Sequence, residues 1–213
     1  MSTVFNFTFV PWFRSVAPYI HMHRGKTFVV GVVGEAIAAG KLAAIATDLA
    51  LIQSMGVRIV LVHGFRPQVN EQLHAKGHEP RYSHGMRITD EVALDCAQEA
   101  AGQLRYEIEA AFSQGLPNTP MAGSKVRVIS GNFLTARPMG IIDGVDFRHT
   151  GVVRKVDATG IRHSLDSGAM VLISPFGFSP TGEAFNLRME EVATSVAIAL
   201  HADKLLFLTE VPG

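Results

Sequence analysis

With 213 residues, 47% of them apolar and no excess of Gly or Pro, the chain can bury a substantial core, which excludes a disordered segment and favours one large domain. Nineteen Lys and Arg balance nineteen Asp and Glu without a basic cluster, so the composition argues against a nucleic-acid partner. The single cysteine excludes an internal disulfide framework, and no apolar run reaches the roughly 18 residues of a membrane helix; with no basic signal head at the N-terminus, the expected setting is the cytoplasm.

In chain order, Phe9, Phe13, Val16 and Ile20 recur at helical spacing and predict a helical arm within residues 1–25, with Pro11 suited to its first turn and Pro18 expected to kink or split it. The apolar face of the arm needs a cover, supplied by its own domain or by a second subunit, and Trp12 and Tyr19 are residue types enriched at interfaces. Residues 27–33 form an apolar run between Gly25 and Gly34, as a buried parallel strand should. Leu42, Ile45, Leu49 and Ile52 then mark a helix over residues 41–55, capped by Gly56, and residues 57–62 give a second apolar strand. This is a βαβ unit with a right-handed crossover, and ligands of such sheets sit beyond the carboxyl ends of the strands, here residues 31–35 and 63–66. The next helix, over residues 67–76, starts with free backbone N–H groups that favour an anion.

Residues 80–87 read as a polar loop, and Thr89 or Asp90 caps a long helix to about Ser113 whose buried stripe includes Cys96, a packed thiol rather than a nucleophile. Residues 115–123 are rich in turn signals. Short strands are expected over residues 125–129 and 133–136, then a β-hairpin excursion over residues 140–157 around Asp143-Gly144. A short helix from Asp157 or Thr159 precedes a third buried-type strand at residues 169–173, turns at residues 174–177 and 181–183, a helix over residues 189–201, and a fourth such strand at residues 204–209. A parallel strand standing last lacks the helix that would cover it, so the fold is expected to be incomplete at its C-terminus.

The sequence holds no GxxxxGK[ST], GxGxxG or GxSxG. His21 with His23, and His74 with His78, could chelate by spacing, but neither pair has an HExxH carboxylate, and no metal site is assigned. Arg87, in a glycine-bearing loop just ahead of a helix, could grip a carboxylate through both arms of its guanidinium or form a surface salt bridge.

Several separate segments carry a resemblance. Val62-His63-Gly64, Gly85-Met86-Arg87-Ile88-Thr89, Ser167-Gly168-Ala169-Met170-Val171, Gly182-Glu183-Ala184-Phe185-Asn186 and Leu208-Thr209-Glu210-Val211-Pro212-Gly213 stand in the order found in acetylglutamate kinases of the amino-acid kinase fold. Closer still, Phe13-Arg14, Pro18-Tyr19-Ile20, His23-Arg24-Gly25-Lys26-Thr27-Phe28-Val29, Gly34-Glu35-Ala36-Ile37, Ser130-Gly131-Asn132-Phe133 and Asp143-Gly144-Val145-Asp146 resemble the classical bacterial N-acetylglutamate synthases, over nearly the whole chain from about Val10.

That resemblance implies an open, mainly parallel α/β sheet flanked by helices, of the amino-acid kinase or carbamate kinase type, truncated at the C-terminus. The arm occupies residues 1–25 and the incomplete kinase-like domain residues 26–213. It further implies the first step of arginine biosynthesis, acetyl transfer from acetyl-CoA to L-glutamate, performed by an acetyltransferase module absent here; the kinase-like portion would sense L-arginine as inhibitor and form homo-oligomers through the arm. Acetyl-CoA would be a co-substrate of the full-length enzyme, with no cofactor on this portion and no catalytic residue in it. By position, Gly64, Arg87 and Asn186 match kinase residues that bind acetylglutamate, with Arg188 close by. Gly31 stands where the kinases place a lysine, Phe65 where they continue with glycine, and Glu190 where they keep an aspartate, so the resemblance implies lost phosphoryl transfer. The alternatives are an acetylglutamate kinase and a stand-alone amino-acid-binding module.

Overall fold

The computed structural model describes residues 9–114 and 126–210. The connection at residues 115–123, Lys125 at the start of an expected strand, and Val211-Pro212-Gly213 therefore lie outside the described residues. The arm is one continuous helix, α1 (Phe9–His23), and Pro18 does not split it. A proline there forfeits a single amide donor, and an exposed helix can give the orphaned carbonyl to water.

The βαβ unit follows as β1 (Thr27–Val32), a short α2 (Gly34–Ala38) where only a glycine turn was expected, α3 (Leu42–Ser54), β2 (Arg58–His63) and α4 (Arg66–Ala75). The expected polar loop at residues 80–87 contains instead a small hairpin, β3 (Tyr82–Ser83) and β4 (Met86–Arg87), turned by His84 and Gly85 at φ of 51° and 72°. Two adjacent left-handed residues match the twist of a tight hairpin. Helix α5 (Glu91–Ser113) is capped by Asp90, whose carboxylate accepts from the Ala93 amide at 3.0 Å. Beyond it come β5 (Val128–Ser130), β6 (Leu134–Pro138), β7 (Ile141–Ile142), β8 (Val145–Asp146) and β9 (Gly151–Val156). Helix α6 (Ala158–Asp166) is capped by Asp157, which accepts from Gly160 at 3.0 Å. The chain closes with β10 (Met170–Ile173), β11 (Phe176–Phe178), β12 (Ala184–Asn186), α7 (Met189–Leu200) and β13 (Lys204–Leu208). Residues 176–178, of which 176 and 177 were expected within a turn, are a strand because β12 and β6 flank them.

The main sheet has the order β13-β1-β2-β10-β5 with every pairing parallel. Its apolar runs alternate between two cores, as the period of two requires. Phe28, Val30, Val32, Ile59 and Leu61 pack under α3, α4 and α5, whereas Val29, Val60, Val62, Val171 and Ile173 pack against α6 and α7. Burial on both faces explains the absence of polar alternation. Strand β13 departs from the expectation of a fourth buried strand: it lies at the sheet edge, and Leu206 and Phe207 are 37% and 41% exposed. The excursion after β5 is also larger than one hairpin. Strands β12-β11-β6-β9 make a second, mixed sheet, and β7 with β8 forms the hairpin beside it. No helix among the described residues is long and apolar enough to cross a membrane.

Candidate functional site

A cavity of about 170 Å³ opens at the carboxyl ends of β1 and β2. Gly34 and Glu35 line it from the first strand end and Gly64, Phe65 and Arg66 from the second; the β3–β4 hairpin adds Tyr82 and Arg87, and the start of α7 adds Arg188 and Glu190. Thr150 and Asn186, one from the loop before β9 and one from the end of β12, complete its wall. The helices α4 and α7 both begin here without a side-chain cap on their first amides. Two positive helix ends therefore face one space.

Arg87 dominates its electrostatics. The residue is only 7% exposed, yet no carboxylate pairs with it among the described residues. One guanidinium nitrogen, Nη2, donates to Asn70 Oδ1 at 2.7 Å and to the Arg66 carbonyl at 3.3 Å; Nη1 is buried with no hydrogen-bond partner. The Tyr82 ring lies 5.0 Å from the Arg87 Cζ and 4.8 Å from that of Arg66, and its hydroxyl donates to the same Asn70 oxygen at 2.8 Å. Burial presses the Arg87 pKa below its ordinary value; Tyr82 opposes this and the Arg66 charge adds to it. An incompletely bonded cation beside two helix N-termini is arranged to take a carboxylate.

Gly64 has a structural reason of its own. A Cβ there would meet the Gly34 amide nitrogen at 2.8 Å, so the loops that follow β1 and β2 come together only without a side chain. The Gly64 amide donates to the Val32 carbonyl at 2.7 Å and ties the two strand ends. Beside it, His63 is fully buried. Its Nδ1 faces the Gly64 carbonyl at 3.3 Å, so Nδ1 carries the proton and Nε2 accepts from Ser174 Oγ at 2.8 Å. Burial pushes its pKa down to about 4, against the smaller upward pull of the Gly64 carbonyl.

Phe65 is mostly core: the residue is 5% exposed, packs under α4 and sits edge-on to His63 at 6.2 Å, although it still contributes to the cavity lining. At Gly31 a different aromatic matters. A Cβ there would come within 2.7 Å of the Phe207 ring and 2.9 Å of the Met189 sulfur. The space into which a side chain at position 31 would grow is filled from β13 and α7. Gly31 itself does not line the cavity, whereas Gly64, Phe65, Arg87, Asn186 and Glu190 all do. Among the paired histidines, His23 packs edge-on to Phe28 at 5.3 Å and His74 meets Glu79 at 3.5 Å.

Sequence reasoning placed Glu35 and Arg66 at the strand ends where a ligand was expected and Thr89 as a candidate helix cap, but it did not single out Tyr82 or Thr150. The Arg66-Pro67 helix start was a usable signal for Arg66. Nothing local marks the pairing of the threonines, which meet Asn186 across 97 and 36 residues of chain and are buried at 0% and 3% exposure.

Five parallel strands, helices on both faces and an arginine-bearing cavity at the carboxyl strand ends define an α/β protein of the open-sheet class. The chain belongs to the amino acid kinase family, whose model matches residues 26–213. It is 61% identical over 205 residues to an amino-acid acetyltransferase of Ralstonia nicotianae, covering 96% of this chain and 46% of that relative. A Pseudomonas fluorescens amino-acid acetyltransferase is 52% identical over 205 residues, with 96% and 48% covered. Among solved structures, N-acetylglutamate synthase from Neisseria gonorrhoeae complexed with coenzyme A and L-arginine superposes with a TM-score of 0.87 at 43% identity, over 96% of this chain and 48% of that one. The same synthase has been solved with coenzyme A and N-acetylglutamate. The Giardia carbamate kinase, at 16% identity and a TM-score of 0.60, shares the fold. The chain spans about half the length of the curated relatives it matches.

Proposed function

We propose that this chain is the kinase-like portion of an N-acetylglutamate synthase, a cytoplasmic enzyme that transfers the acetyl group of acetyl-CoA to L-glutamate in the first step of arginine biosynthesis, and that this portion serves L-arginine sensing and assembly. The observation that carries the reading is the continuous similarity to amino-acid acetyltransferases across almost the entire chain. In the cavity, Arg87 would bind a carboxylate of an acetylglutamate-like acid, Asn186 would bind its polar middle, and Gly64 would keep the loops close enough to enclose it.

Phosphoryl transfer is disfavoured by charge and by space. It needs positioned cations along the transferring phosphate, and the place beside Gly31 is held by Phe207 and Met189 rather than by a lysine. Incubation of the 213-residue chain with acetyl-CoA and glutamate is expected to give no N-acetylglutamate by mass spectrometry, and ATP with N-acetylglutamate no ADP. Release of ADP would replace this reading with an acetylglutamate kinase.

Helix α1 supplies the assembly element. Trp12 and Tyr19 are 59% and 64% exposed and Val10, Phe13 and Met22 are also exposed, whereas Val16 and Ile20 are half-buried, so the arm keeps an extended accessible apolar surface. Surface of this kind suits a second copy. Deleting residues 1–24 is expected to lower the mass measured by light scattering; an unchanged oligomer would remove the arm from the interface.

A further inference from the structure

Two short hairpins leave the fold side by side and meet again at their tips. The β3–β4 hairpin is closed at its root by the Ile88 amide on the Arg81 carbonyl at 2.8 Å, and the β7–β8 hairpin by the Phe147 amide on the Gly140 carbonyl at 3.1 Å. Just past these roots the two segments are joined: Thr89 bridges Arg148 in parallel, and the His149 amide donates to the Thr89 carbonyl at 2.9 Å. Each hairpin turns through a left-handed residue followed by glycine, His84-Gly85 in one and Asp143-Gly144 in the other. Across the tips, His84 Nε2 lies 3.1 Å from Asp143 Oδ2. Backbone holds the roots together, and a pair of side chains holds the tips.

The two joints differ in what can undo them. Backbone bonds at the root do not titrate. On its other flank the β3–β4 hairpin is held to α4 by Arg66, which donates to the Gly85 carbonyl at 3.1 Å, and by the bonds of Tyr82 and Arg87 to Asn70. Arginine keeps its charge at any working pH, whereas histidine gains and loses one between pH 5 and 8. The remaining charged groups on these elements are engaged elsewhere. Asp146 accepts from the Arg148 amide at 2.9 Å, Arg81 pairs with Asp90 at 2.8 Å, and His149 lies 4.0 Å from Glu183 at the root. The Ser83 hydroxyl, 3.0 Å from His84 Nδ1, can donate or accept and so serves the ring in either charge state.

We propose that His84 and Asp143 form a pH-operated latch between the two hairpins. With His84 protonated the tips are held together and the β3–β4 hairpin keeps Tyr82 and Arg87 in place; as His84 loses its proton the tips part and the hairpin opens from that end. The two side chains are 47% and 77% exposed, so the pair shifts the balance only by about twofold to fivefold. Tyr82 and Arg87 line the cavity from this hairpin, and the closed fraction therefore scales the affinity of any occupant.

Hydrogen exchange by mass spectrometry, followed in the intact chain over the peptide spanning residues 80–88, tests the latch. The comparison is with Asp143→Asn, which removes the charge and keeps a residue suited to the left-handed turn. At pH 6 the wild type is expected to exchange about twofold to fivefold more slowly than the variant, and at pH 8 the two should coincide. Comparing both chains at one pH cancels the intrinsic exchange rate and the titration of His149, which they share. His84→Lys, set against the His84→Lys/Asp143→Asn double variant so that the strain of lysine at φ 51° cancels, should show the difference at both pH values. Salt at about 1 M should erase it in the wild type at pH 6. Equal exchange of wild type and Asp143→Asn at pH 6 would overturn the latch. So would a difference that persists in full at pH 8, which would make the contact a hydrogen bond indifferent to charge. No ligand enters the measurement, so its outcome is independent of what the cavity binds.

Discussion

Arg87→Met is expected to lower the affinity of this chain for N-acetylglutamate by about a hundredfold or more while leaving its melting temperature unchanged or raised. The two effects part company because the guanidinium is buried without a carboxylate and leaves Nη1 unpartnered. In the empty protein its desolvation is poorly compensated, so an apolar side chain of similar length relieves a cost. What is lost is modest: a 3.3 Å bond to the Arg66 carbonyl and the contact with the Tyr82 ring, while Asn70 Oδ1 keeps the Tyr82 hydroxyl as a donor at 2.8 Å. With a carboxylate bound, the same cation gains a charge-assisted partner in a low-dielectric cavity, and its removal is felt in full. Calorimetry and thermal melts on one preparation check both halves. Unchanged affinity would remove Arg87 from the site, and a large loss of stability would mean that the arginine is framework for the β3–β4 hairpin.

Acidification from pH 6.5 to 4 should cost the fold about 3 kcal/mol through His63 alone. The sign follows from which state binds the proton. In the unfolded chain the imidazole titrates at its ordinary value of 6.5; in the native core it stays neutral down to about 4, because burial penalises the cation by more than the Gly64 carbonyl at Nδ1 favours it. Above pH 6.5 both states are neutral and stability is fully present. As pH falls toward 4, the unfolded state takes up a proton that the native state refuses, and stability drains at about 1.36 kcal/mol per pH unit. Urea unfolding at pH 7 and pH 4.5 measures the loss. His63→Asn should flatten this segment of the profile relative to wild type, which separates the histidine from carboxylates that titrate lower. A wild-type profile no steeper than the variant's would show that the buried ring is protonated without penalty.

The structure answers the question raised by the Gly31 and Phe65 positions differently from their local chemistry. A phenylalanine after Gly64 reads as an obstruction, yet the chain turns that ring into the core, where it meets His63. The ring beside Gly31 comes from Phe207, about 180 residues later in a strand that pairs with β1 in register Gly31↔Phe207. No periodicity announces that encounter.

Local chemistry alone determined the elements whose signals are contiguous: the apolar runs of β1, β2 and β10, the helix starts at Thr89 or Asp90 and at Asp157 or Thr159, of which the fold uses the aspartates, the α3 and α5 stripes and the crossover that sends ligands to the strand ends. These depend on neighbours a few residues apart, so they are written in the chain. Tertiary structure decided the five-strand order with β13 at its edge, the second sheet that turned residues 176–178 into a strand, and the meeting of Arg87, Thr150 and Asn186 around one cavity with Thr89 bonded behind Asn186. Edge or centre, loop or strand, and free or satisfied proton are properties of pairs. When the partners are separated by tens of residues, only the closing of the fold assigns them.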